Sequence, residues 1–238
     1  MLSFKQYLKE DYNDFEFWPE EDALDWAIDN GLRVFKKYSL NAPSNTIVQN
    51  ATIENGMLNG TDVMLTDEKS ALPQIGNSNL RHLPFQFGKI KMHFFASDCN
   101  LGSLKGSPIT VGGKYSVSAN MAITSFEYLP QEASAYILRG TSIKSFSGVH
   151  KVIKRMVANG KVYSGQVYIP ATVEKCLLGF LKIPGCKSLE LGHSDQKIAP
   201  LSLIKACDII TKHLQDNRNI IACQEELFQN NLDEYAKL

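Results

Sequence analysis

The chain has 238 residues, 44% of them hydrophobic, and Lys+Arg and Asp+Glu are both 25, so its formal net charge is zero. That length buries a core without disulfide staples, and neutrality without a dense basic run argues against recruitment of nucleic acid or a membrane surface by a global field. Five cysteines, at positions 99, 176, 186, 207 and 223, form no close C-x-x-C pair and cannot all pair within one chain, so they read as buried thiols of a reducing compartment.

In chain order, Ser3 can cap a short helix in which Phe4, Tyr7 and Leu8 share a face. The acidic, aromatic stretch Glu10-Asp11-Tyr12-Asn13-Asp14-Phe15-Glu16-Phe17-Trp18 breaks that pattern and reads as a linker, closing a first region at 1–18. Residues 19–38 predict a second helix. Glu20, Glu21 and Asp22 suit its positive N-terminal end and Lys36 and Lys37 its negative end, while Leu24, Ala27, Ile28, Leu32 and Phe35 recur at helical spacing. Gly31 weakens its middle. The region 19–45 is expected to form an N-terminal helical cap, because a terminal repeat must cover an otherwise open apolar edge. Residues 46–65 alternate over short runs and predict an opening hairpin, with Asn55-Gly56 and Asn59-Gly60 as turn signals. Residues 66–79 read as an insertion.

A ladder of apolar residues follows. Phe94 and Ala96 take strand places, Cys99 the turn, then Leu101, Leu104 and Val111 complete a unit. The next unit repeats it with Tyr115, Val117, Asn120, Ile123 and Phe126, and a third with Tyr136, Leu138, Thr141, Ile143, Phe146 and Ile153. Leu80, Leu83 and Ile90 mark the unit before. Leu80, Leu101, Ile123 and Ile143 are 21, 22 and 20 residues apart, the period of a leucine-rich repeat. Gly106, Pro108, Gly112 and Gly113 let the chain turn back between units. A single unit is not self-sufficient. Three or four apolar side chains at roughly 1.5–3 kcal/mol each oppose the ordering of about twenty residues at about 1–2 kcal/mol each, and stacking supplies the difference.

Beyond Met156 the pattern loosens. Val167, Ile169 and Val173 resemble one more unit, displaced by a longer connection containing Gly160 and Gly165, and residues 177–191 form a compact apolar segment. Two helices are expected at the end. One spans 200–214 with Leu203, Cys207, Ile210 and Leu214 on one face, the other spans 219–238, and together they make a C-terminal helical cap within the region 176–238. The predicted fold is an α/β solenoid, a short leucine-rich-repeat-like β ladder over 46–175 between N-terminal and C-terminal helical caps.

Solenoids bind through the strand surface that faces away from their inner rows. Here the register places His93, Phe95, Ser97 and Asp98, then Ser116 and Ser118, then Ile137 and Arg139 on that surface. An aromatic ring, small hydroxyls and one Arg suit a protein-binding patch anchored by Phe95 and Arg139, and they equally suit a solvated face. The histidines at 82, 93, 150, 193 and 213 are dispersed without metal-ligand spacing, so neither metal nor cofactor is expected. The first residues lack the basic segment and apolar core of a secretion signal and no 18-residue apolar run occurs, so a soluble protein, intracellular or enclosed within a particle, is expected.

Three families are resembled locally. Phe85-Gln86-Phe87-Gly88-Lys89-Ile90, residues 99–113, residues 177–183 and the tail IIACQEELFQNNLDEYAKL resemble leucine-rich-repeat-like proteins of large tailed bacteriophages, over about residues 46–238. In that family the repeat runs roughly N-x-L-T-S-L-x-G-x-P-x-x-V-G-G and the strand usually ends in Cys. Ala96 and Val117 depart from the Cys place, and the third unit diverges. The resemblance implies a solenoid of phage origin without an established activity. Met1-Leu2-Ser3-Phe4-Lys5-Gln6-Tyr7-Leu8-Lys9-Glu10 resembles the capsid-targeting peptide of myovirus-type phages, which implies cleavage after Glu10 at a Leu-x-Glu site; an ordinary first helix is the alternative. Arg139-Gly140-Thr141, Ser145-Phe146-Ser147 and Gln224-Glu225-Glu226 resemble the Arg, Ser-x-Ser and Gln-x-Glu elements of ADP-ribosyltransferases. The first two, however, fall inside the ladder and the third on a predicted capping helix. The preferred expectation is a non-enzymatic, protein-binding phage solenoid associated with the virion; the alternatives are an early phage protein that binds a host factor in the bacterial cytoplasm and an ADP-ribosyltransferase-like enzyme, with no nucleic acid or membrane partner expected.

Overall fold

Each turn of the ladder lays down two short strands, one in each of two sheets. The computed structural model describes residues 52–54, 57–60, 63–64, 82–83, 86–158 and 164–238. The helices expected at 3–8 and 19–38, the linker between them, the Glu10 site, the insertion at 66–79 and the anchor Leu80 lie outside the described residues.

The first sheet runs β1 (Thr52–Glu54), β2 (Met57–Gly60), β4 (Phe87–Ile90), β6 (Thr110–Val111), β8 (Glu132–Ala133) and β10 (Arg155–Met156). The second runs β3 (Val63–Met64), β5 (Phe94–Phe95), β7 (Lys114–Ser116), β9 (Ala135–Ile137), β11 (Gln166–Ile169) and β12 (Ser188–Leu191). All pairs are parallel except β1–β2, whose register Glu54↔Met57 makes the expected hairpin across Asn55-Gly56. Asn59-Gly60, expected as a second turn, instead lies within β2, where the Asn59 side chain accepts from the Lys89 amide. The result is a parallel β-solenoid of about four turns. The alternation of strand and helix implied by an α/β solenoid is not what the described ladder shows. Between its strands only α1 (Val149–Val152) and a 3-10 turn (Leu178–Lys182) are helical.

The spacing of apolar residues explains this architecture. Strand register aligns Phe94, Tyr115, Tyr136, Val167 and Leu189 in one inward row, and every member is buried. Ala96, Val117, Leu138, Ile169 and Leu191 fill a second, and Leu101, Ile123, Ile143 and Val173 are buried on the returning side. Two aromatic stacks run through the core. One joins Phe87, Phe94, Tyr115 and Tyr136 at centroid distances of 5.0, 5.5 and 6.1 Å; the other joins Phe126, Phe146 and Phe180 at 5.4 and 5.1 Å. Such pairs contribute about 0.5–1.5 kcal/mol each beyond area burial. The buried phenols need partners: Tyr115 meets Ser107 Oγ at 2.7 Å and Tyr136 donates to the Pro130 carbonyl at 2.8 Å. At the corner between β6 and β7 a Cβ on Gly112 would strike the Lys91 carbonyl, and one on Gly113 the Met92 carbonyl and His93 ring, so the Gly-Gly pair sits where two corners stack too closely for side chains.

The turn after each strand of the second sheet repeats as well. Asp98, Ala119 and Gly140 have φ of 56°, 58° and 67°, all left-handed and in equivalent places. Asn120 sits one residue on, fully buried. Its Oδ1 accepts from the amides of Cys99 (3.0 Å) and Leu101 (2.9 Å) in the preceding turn, and its Nδ2 donates to the carbonyls of Ala96 and Val117, both at 2.8 Å. Thr141, the equivalent residue one turn later, donates to the Leu138 carbonyl at 2.8 Å. Both turn residues therefore occupy the places the sequence pattern gives them.

At the C-terminal end, α2 (His193–Gln196) leads into α3 (Leu201–Gln215). The expected apolar face of α3, Leu203, Cys207, Ile210 and Leu214, is buried, and the helix packs against β12. Thr211 Oγ1 accepts from the Leu189 amide at 3.0 Å and donates to its carbonyl at 3.2 Å, satisfying the outer edge of the last strand. Asn219 caps α4 (Ile220–Gln229) by accepting from the Ala222 amide. The helix expected to reach 238 stops at 229, because Asn231 turns left-handed at φ 56°. The tail then runs back along the ladder, where its Glu234 and Tyr235 carbonyls accept from the amides of Cys176 and Leu177.

Candidate functional site

The outer face of the second sheet is built by a period of two along each strand: inward residues form the core rows, and those between them form outward rows. Register aligns Phe95, Ser116, Ile137, Tyr168 and Glu190 in one outward row. Ser97, Ser118 and Arg139 follow beside it, tied by the bonds Asp98 N to Ser118 O and Ala119 N to Arg139 O. The structure thus gathers the sequence-predicted residues on one face, although it does not leave them all accessible.

Ser116 and Ser118 are 3% and 8% exposed, which corrects the expectation that their hydroxyls face solvent. Their small side chains lie among larger neighbours and join Ser97 in a closed triangle of Oγ distances, 2.9, 3.3 and 2.8 Å. His93 is half-buried; its ring packs 5.7 Å from that of Phe95 and its Nδ1 accepts from the Lys114 amide at 2.9 Å. Phe95, Ser97 and Ile137 are also half-buried, leaving Asp98 and Arg139 as the exposed charged members.

Arg139 stands beside a buried acid. Asp195, on α2, is 6% exposed, and its Oδ2 has no hydrogen-bond partner. Burial pushes its carboxyl above the usual aspartate range, opposed by the Arg139 charge and a backbone hydrogen bond from Ala171. The pair gives one end of this face an electrostatic anchor that the sequence spacing does not reveal.

The ADP-ribosyltransferase-like elements are held in other roles. Thr141 is a buried turn residue and Phe146 belongs to the core aromatic stack. Glu226 receives Lys212 Nζ at 2.9 Å and lies 2.8 Å from His213 Nε2, and these hydrogen bonds hold its carboxyl below the ordinary range. All five cysteines are buried and free, as the sequence reading expects. Burial pushes the thiols of Cys186, Cys207 and Cys223 up to about 12, far from the range of reactive thiolates. Among the described residues no group of three or more His, Cys, Asp or Glu could hold a metal ion, and no helix is long and apolar enough to cross a membrane.

Sequence reasoning missed three polar devices. Ser103, Ser125 and Ser145 each accept from the amide two residues on, at 3.1, 3.2 and 3.2 Å, shaping the returning stretch of three successive turns. Their shared place, two residues after Leu101, Ile123 and Ile143, was visible in the sequence. Arg218 donates to the carbonyls of Leu181, Ile183 and Cys186, and Thr211 closes the edge of β12. Neither has a local motif.

These residues define a short two-sheet parallel β-solenoid with a mixed polar and aromatic outer face. No protein-family model matches the chain, and no curated protein or solved structure matches it.

Proposed function

We propose that the chain is a leucine-rich-repeat-like, protein-binding solenoid of a large tailed bacteriophage, carried in or on the particle, that works by binding rather than turnover. The observation that carries this reading is the outer face of the second sheet, where exposed Asp98 and Arg139 flank half-buried Phe95 and Ile137 across three turns of a rigid ladder. Anchors of this type, an aromatic and an Arg on a fixed scaffold, carry binding energy in protein interfaces. The repeat-like part of the reading is supported by Asn120, whose side chain ties one turn to the preceding one. Helices α3 and α4 act as the C-terminal cap.

A second reading is favoured by the five buried free thiols, which suit a reducing cytoplasm: an early phage protein that binds a host factor. Affinity capture from infected-cell lysate with the full chain and with a Phe95→Ala/Arg139→Glu variant tests the binding face itself. The expected result is a protein enriched by the parent chain and lost by the variant, with the variant's circular dichroism unchanged. Identical capture by both folded proteins would overturn the assignment of this face.

A further inference from the structure

Away from that face, where the returning stretch of the ladder enters the first sheet, three successive turns build a groove of about 390 Å³. Pro108 and Ile109 come from one turn, Tyr128 from the next, and Lys151 and Lys154 from the third. Ile109 and Tyr128 are 40% and 45% exposed, so apolar and aromatic surface lies open along the groove. Its backbone is already committed: the Ile109 carbonyl accepts from Gln131 N, and the Gln131 carbonyl from Lys154 N. An occupant is therefore held by side chains and not as an added strand.

Of the three charged side chains that line the groove, Lys151 and Lys154 are basic. Ion pairs among the described residues join Lys144 to Glu174, Arg155 to Glu132, Lys212 and His213 to Glu226, and Lys237 to Glu234. Among the described residues Lys151, Lys154 and Lys182 have no such acidic partner, and Lys154 Nζ donates to the Lys151 carbonyl at 2.6 Å. The three ammonium groups surround His150, whose Nδ1 is buried without a hydrogen-bond partner. Burial, then Lys182, Lys151 and Lys154, depress its pKa below the usual imidazole range. The acid lining the groove is Glu127, on the turn that carries Tyr128.

We infer that this groove docks an extended acidic segment of a partner protein, with carboxylates on Lys151 and Lys154 and an apolar or aromatic side chain between Ile109 and Tyr128. A nucleic acid fits less well, since a phosphate backbone needs a continuous basic track, whereas the two lysines here sit on one turn beside the apolar surface of Ile109 and Tyr128. The groove is separate from the outer face of the second sheet, so the two assignments stand or fall independently.

The test is fluorescence anisotropy with the full chain and four probes: a labelled dodecapeptide alternating Glu with Phe, its Lys-for-Glu and Ser-for-Phe counterparts, and dodecathymidylate. The Glu-Phe peptide is expected to bind at least tenfold more tightly than the other three and to weaken with added salt. Lys151→Glu/Lys154→Glu and Tyr128→Ala, all at exposed positions, are each expected to lose at least tenfold with circular dichroism unchanged. Ile198→Ala, at an exposed position outside the groove, keeps full affinity. Absence of Glu-Phe binding, equal binding by the folded groove variants, or tighter binding of the oligonucleotide would overturn the assignment.

Discussion

Replacing Asn120 with Ala removes the side chain that joins two turns. Its Oδ1 holds two buried amides of the preceding turn, Cys99 and Leu101, and its Nδ2 holds the Ala96 and Val117 carbonyls. An orphaned buried donor or acceptor costs about 1–3 kcal/mol. The two amides alone therefore give roughly 2–6 kcal/mol, and water entering the vacated space offsets part of the carbonyl loss, so about 4 kcal/mol is the working figure. Against a total of about 5–15 kcal/mol for a folded domain, that is a large fraction. In urea, with a slope of about 2 kcal/mol per molar, the midpoint should fall by about 2 M while the slope stays constant. Thr141→Ala is the control at the equivalent place; it removes one hydroxyl bond to Leu138 and should cost about 1 kcal/mol. The assay is urea unfolding followed by circular dichroism. A midpoint shift for Asn120→Ala no larger than that of Thr141→Ala would refute the turn-bridging role.

Three further outcomes follow from polar contacts. Thr211→Val keeps the shape of the side chain but orphans both backbone groups of Leu189, so it should cost about 1–3 kcal/mol and speed amide exchange at β12 more than at β7. Arg218→Ala strips donors from the Leu181, Ile183 and Cys186 carbonyls and should lower the urea midpoint by the equivalent of about 2–4 kcal/mol, with Arg218→Lys recovering only part. Asp195→Asn should raise the melting temperature at pH 7. Because the folded carboxyl titrates above its ordinary 3.8, the folded chain binds more protons, and stability falls as pH rises from that value through the folded pKa. The gain from the Asn variant should accordingly fade as pH drops well below 3.8, where both states become protonated; a pH-independent gain would contradict the burial argument.

The inner rows were legible because a residue such as Tyr115 or Leu138 must be apolar, and its place recurs with each turn. Asn120 was legible as a turn residue, because its place recurs with Cys99 and Thr141, but the bridge its side chain makes to the preceding turn was not. The second strand of each turn was not. Elements as short as Thr110–Val111 and Glu132–Ala133 show no alternation of their own and are defined only by their parallel neighbours. The burial of Ser116 and Ser118 was also hidden, since alternation marks a side as outward without saying how closely its neighbours cover it. Thr211 and Arg218 act on backbone groups 22 and 32–37 residues away, and the groove at Tyr128 joins three turns, so local sequence carries no trace of either.

A particle-borne binding solenoid is tested most directly by mass spectrometry of purified phage particles and of infected-cell lysate, reading the N-terminus of this chain in each. The expected result is a particle-associated chain that begins at Asp11, cleaved after Glu10. Absence from particles, with Met1 or Leu2 intact and the chain abundant in lysate, would contradict packaging and leave the host-factor reading in its place.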